Sequence, residues 1–220
     1  CGREGGGEGE GEGGGEGQET KENKENTDVL DFAPYSSGGA TYEEEPTTNK
    51  LLEAAIAGNF GAVQLLCEAG VDLEGTDDEG RTPLCNACCC GHLDVVRYLH
   101  AAGADMEKSQ NDGTTPLYCA ATLGHLPIVQ YLVEARVDIN KVGDYSVTPL
   151  HVATHGGLSD VVRYLCEAGA EKHKTDLHGN CPLITAAAKG RLDLVQYLVN
   201  LGMDQNRAND HGNTPLLVAA

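Results

Sequence analysis

The sequence predicts an all-α solenoid of stacked 33-residue repeats, preceded by a disordered acidic tail. Three observations carry that prediction. Proline recurs at Pro83, Pro116, Pro149, Pro182 and Pro215, each 33 residues from the last. Glycine follows eight residues later at Gly91, Gly124, Gly157 and Gly190, and leucine sixteen later at Leu99, Leu132, Leu165 and Leu198. Composition changes near residue 45, so the repeats have a clear beginning. A fixed period of this length marks an array whose units bury their apolar faces only against their neighbours.

Residues 1–45 hold 12 of the 29 glycines, and 13 acids against three basic residues leave them at −10. Such a segment buries too little apolar surface to offset its ordering entropy, so it is expected to be disordered. Inside it, Lys21-Glu22-Asn23 runs directly into Lys24-Glu25-Asn26. That tandem triplet resembles a destruction-box-like degron, but solvated filler is the preferred reading of so short a match. The whole chain carries −19, a field that repels phosphate backbones and argues against nucleic acid as a partner. No run of 18 apolar residues is present to span a membrane. The nine cysteines are odd in number and crowd at Cys85, Cys88, Cys89 and Cys90. With no secretory leader in view, they imply a reducing cytoplasmic setting, with the nucleus as the alternative.

The repeats divide residues 46–220 into copies 46–78, 79–111, 112–144, 145–177 and 178–210, and a partial copy 211–220. In each, threonine before the proline should cap a first helix, with proline in its first turn where no amide is needed. Leu84, Ala87 and Cys88, and their equivalents in later copies, give that helix a narrow apolar stripe. Glycine then ends it in a left-handed turn. A second helix follows, with Val95-Val96, Ile128-Val129, Val161-Val162 and Leu194-Val195 as its core face, and Pro127 tolerated at its start. Gly70, Gly103, Gly169 and Gly202 close it, and a polar stretch such as Gln110 to Gly113 reads as a hairpin turn.

The run Gly113 to Asp138, with Thr115-Pro116-Leu117, Gly124-His125 and an apolar second helix, resembles the ankyrin repeat. The resemblance covers about four-fifths of the chain. It implies stacked helix-turn-helix units with β-hairpin turns, a protein partner on the concave face, and no cofactor or catalytic residue.

Three departures stand out. Cys181 replaces a capping threonine, Ser146 the hairpin glycine, and Arg136 the closing glycine, which would hold Arg136 left-handed at some strain. The first copy has Lys50 in the proline position behind Pro46-Thr47-Thr48-Asn49, a polar edge suited to an end-capping repeat. At the other end Val218-Ala219-Ala220 stops inside a first helix, and the chain lacks an initial methionine, so it is expected to be a fragment and monomeric.

Little in the sequence promises chemistry. Cys85-Asn86-Ala87-Cys88 is a lone Cys-x-x-Cys, whereas structural zinc usually takes two such pairs, so stoichiometric zinc is not expected. Cys119 and His92 are the nearest further candidates. Structural cysteine is the preferred reading over metal binding or redox sensing, with Cys89 and Cys90 more exposed than Cys88. His92, His125 and His151 read as structural hydrogen-bonders, while His155, His173, His178 and His211 have no acid–base partner in sequence. Tyr98, Tyr131, Tyr164 and Tyr197 recur once per copy and read as packing on the convex side.

The expected function is therefore non-catalytic binding of a protein of unknown identity, in a scaffold or adaptor role. The positions expected on the concave face are Arg81, Thr114, Tyr145, Val147, His178 and Asn180 on the hairpins. On the first helices they are Asn86, Cys89, Cys90, Cys119, Thr122, Leu123, Val152, His155, Thr185 and Lys189. They vary between copies while the core positions repeat. Two other classes compete: a substrate-recruiting part of a larger enzyme or ubiquitin-ligase assembly, and a cysteine-based metal or redox module.

Overall fold

A computed structural model describes residues 48–219, so the tail at 1–45 and its Lys21–Asn26 triplet lie outside the described residues. Helices come in pairs along the chain: α1 (Thr48–Ile56) with α2 (Phe60–Glu68), α3 (Pro83–Cys90) with α4 (Leu93–Ala101), and α5 (Pro116–Leu123) with α6 (Leu126–Glu134). Then follow α7 (Pro149–Gly156) with α8 (Ser159–Glu167), α9 (Pro182–Ala188) with α10 (Leu192–Asn200), and α11 (Pro215–Val218). First helices pack on first helices (α1, α3, α5, α7, α9, α11), and the second helices form a looser outer row.

The caps form as the sequence requires. Thr82, Thr115, Thr148 and Thr214 each accept the backbone N–H three residues on, at 3.1–3.3 Å, with proline in the first helical turn. His151 returns the interaction to Thr148, completing a capping box, and its Nε2 donates to the Asn180 carbonyl of the next copy at 3.1 Å. Burial lowers this imidazole below its ordinary pKa, so it serves as a neutral hydrogen-bonder. Cys181 stands in the same extended cap geometry with no side-chain hydrogen bond to the helix. Cys181→Thr should therefore raise stability by about 0.5–2 kcal/mol, read as slower hydrogen exchange in α9; no change or a loss would show that the buried sulfur packs in a way threonine cannot reproduce.

Second helices close in a left-handed turn, on Gly70, Gly103, Gly169 and Gly202 in four copies and on Arg136 at φ 70° in the third copy. A side chain in that region costs about 1–2 kcal/mol, so Arg136→Gly should stabilise, and a lowered urea midpoint would contradict it.

The core is continuous. Leu84, Leu117, Leu150 and Leu183 from the first helices meet Leu99, Leu132, Leu165 and Leu198 from the second, all essentially inaccessible. Histidines stitch neighbouring copies: His92 Nε2 donates to the Ile56 carbonyl at 2.9 Å and His125 Nε2 to the Cys89 carbonyl at 3.0 Å. A second ladder runs along the loops, where Lys108, Lys141 and Lys174 donate to the carbonyls of Glu74, Glu107 and Asn140 at 2.6, 2.7 and 3.1 Å.

The hairpin segments are turns, with no strand among the described residues. Each finger is closed by a backbone hydrogen bond from Asp77, Gln110, Gly143, Asp176 or Asn209 to the carbonyl four residues on, at 2.8–3.2 Å. Adjacent fingers are joined as well: Asn111, Leu177 and Asp210 donate to the carbonyls of Glu79, Tyr145 and His178, each at 3.1 Å.

Candidate protein-binding face

Fingers and first helices present a row of variable side chains. Tyr145 is 64% exposed, and Leu123, His155, His178 and Lys189 are exposed with it. Partial burial, then the charges of Lys189 and Arg191, lower the His155 imidazole, so it is neutral near pH 7. Arg81, Cys89, Cys90, Thr122, Val147, Asn180 and Thr185 are half-buried. Several of these already have partners. Arg81 holds Asp77 at 2.8 Å and Glu79 at 2.7 Å, and Asn180 bonds Asp176 and Asn209. Thr122 and Thr185 donate to carbonyls one turn back in their own helices.

Four of the expected positions do not reach solvent. Asn86, Thr114, Cys119 and Val152 are buried, Asn86 and Cys119 completely. The cause is stacking. The third residue after Pro83, Pro116 and Pro149 lies where successive first helices pack together, and Thr114 lies on a finger directly against Gly143 of the next finger. Thr185, in the same register of α9, is less covered. The positions six and seven residues after the proline, such as His155, Leu123 and Lys189, are the ones left open.

The finger of the fourth copy differs from its sisters. Asp144–Ser146 forms a short 3-10 turn in which Tyr145 (φ 61°) and Ser146 (φ 58°) are both left-handed. Sister copies take that conformation on a single glycine, such as Gly80 at 80° and Gly113 at 78°. Beside Tyr145 stands Leu177, 60% exposed and joined to it through the finger hydrogen bond. His178 stacks on His211 one finger further along, ring centroids 6.2 Å apart. Sequence reasoning missed Leu177, although the signal was there: sister copies place Asp78, Asn111, Asp144 and Asp210 in its register.

The tyrosines of the second helices behave differently. Tyr98, Tyr131, Tyr164 and Tyr197 are half-buried and pack against the core. Phe60 meets Tyr98 edge-on at 5.4 Å, His100 Nδ1 bonds the Tyr131 hydroxyl at 2.7 Å, and Arg163 lies 4.5 Å over the Tyr197 ring. They form a packing ladder.

Among the cysteines, Cys88 lies in the apolar core, while Cys89 and Cys90 are half-buried, the order expected. The sulfurs of Cys85, Cys89 and Cys119 converge, all within 4.8 Å of one another.

A profile of ankyrin repeats in three copies matches residues 25–110, 101–176 and 169–220. The chain belongs to the ankyrin-repeat family. No curated protein matches it. Ankyrin repeats are generally protein–protein interaction modules and typically non-catalytic, which agrees with a face of variable residues over a repeating core. No helix among the described residues is long and apolar enough to cross a membrane.

Proposed function

We propose that this ankyrin-repeat chain is a non-catalytic scaffold or adaptor that holds a partner protein on the concave side of its solenoid, across finger tips and the open ends of the first helices. One observation carries the reading. Tyr145 and Leu177, two large apolar side chains, stand exposed side by side on adjacent fingers, with His178 on the same tip as Leu177. A soluble surface gains nothing from placing them there, whereas a partner that covers them gains their burial. The left-handed backbone at Tyr145 adds to this, because strain of that kind collects at functional sites. The test is capture of a cellular partner by the full chain and by the Tyr145→Ala chain. A partner held equally by both would move the interface off the fingers.

A further inference from the structure

The cysteine-rich third helix brings together thiols that the Cys-x-x-Cys spacing does not identify. Cys85 and Cys89 lie one turn apart on α3, and Cys119 comes from α5 of the next copy. Cys85 Sγ and Cys119 Sγ are 3.7 Å apart, and all three sulfurs fall within 4.8 Å of one another. An ion bonded at about 2.3 Å to three sulfurs in a trigonal plane sets them about 4 Å apart, so the spacing already fits. Cys88 belongs instead to the apolar core.

Two of the three sulfurs share one side-chain donor. The Gln110 side-chain amide donates to both Cys85 Sγ and Cys119 Sγ, at 3.1 and 3.0 Å. Cys85 is the third residue of α3 and Cys119 the fourth of α5, where the positive helix ends lie. Cys85 and Cys119 are fully buried and Cys89 only half, so Cys89 offers the way in.

We propose that Cys85, Cys89 and Cys119 form a three-thiolate site for one soft monovalent d10 ion of the copper(I) class. On binding, three sulfur–metal bonds form, and each S–H proton still present leaves to water; nothing is oxidised or reduced. A zinc structural site closes with four ligands, and only three converge among the described residues. His92, the other candidate the sequence offered, is outside the cluster and is committed to the Ile56 carbonyl. Soft thiolates without a fourth ligand favour the copper(I) class.

The experiment is anaerobic titration of the full reduced chain with copper(I) held by bicinchoninate, with X-ray absorption on the loaded protein. One equivalent should transfer and show three sulfur neighbours. Cys89→Ala removes a half-buried side chain, and should weaken transfer by about 100-fold or more while the urea midpoint stays put. Cys67→Ser with Cys166→Ser, on the second helices, should leave transfer unchanged. Unchanged affinity in Cys89→Ala, loss of the ion in the Cys67/Cys166 double variant, or two sulfur neighbours would overturn the site. Zinc held as tightly as copper(I) would overturn the choice of ion.

Discussion

Tyr145→Ala is expected to weaken binding of the partner at least about tenfold while leaving the urea midpoint unchanged. The ring is 64% exposed, so removing it costs the isolated fold little apolar burial. Alanine at φ 61° inherits the same left-handed strain, so the backbone contribution also stays level. Against a partner the balance reverses. An aromatic anchor beside Leu177 that becomes covered is the type of residue whose truncation costs about 2 kcal/mol or more. Tyr164→Ala supplies the contrast. Its ring packs on the core, so its loss should lower the midpoint and leave binding by the folded protein nearly intact. The opposite pattern would make the tyrosine ladder the binding stripe.

The largest loss of stability is expected from Leu117→Ala, about 2–5 kcal/mol, from lost transfer free energy and the cavity left behind. Leu117 is 1% exposed on α5, a helix packed between first helices on both sides. In a stack held by nearest-neighbour interfaces, a weak central copy also uncouples its flanks. Hydrogen exchange should then show α1–α4 and α7–α10 opening separately. Leu198→Ala, equally buried but on α10 near the end of the array, should cost a similar amount locally without that uncoupling. A single cooperative transition in Leu117→Ala would show that coupling does not run through the central copy.

Much of this was readable in advance. Threonine caps, the apolar pairs of the second helices, the structural role of His92 and His125, and the strained Arg136 all follow from local chemistry repeated at a fixed interval. The lysine ladder was equally visible, since Lys108, Lys141 and Lys174 keep the period, but nothing in a lysine's own sequence says that it reaches a carbonyl one copy back. Leu177 betrayed itself only as an apolar residue in a register of Asp and Asn. The buried Asn86, Cys119 and Val152 were misplaced for a simpler reason. A helix taken alone offers that side to solvent, and only the close approach of the next first helix covers it.

The sequence by itself determined the period, the helix pairs, the caps and turns, and the residues of the core, because each is written in the local pattern of one copy and that pattern recurs. The tertiary structure alone decided which variable positions stay open and which thiols meet. Those are distances between copies, set by how closely the first helices stack. Cys85 and Cys119 stand 34 residues apart in the chain and 3.7 Å apart in space, and no spacing rule within one repeat contains that number.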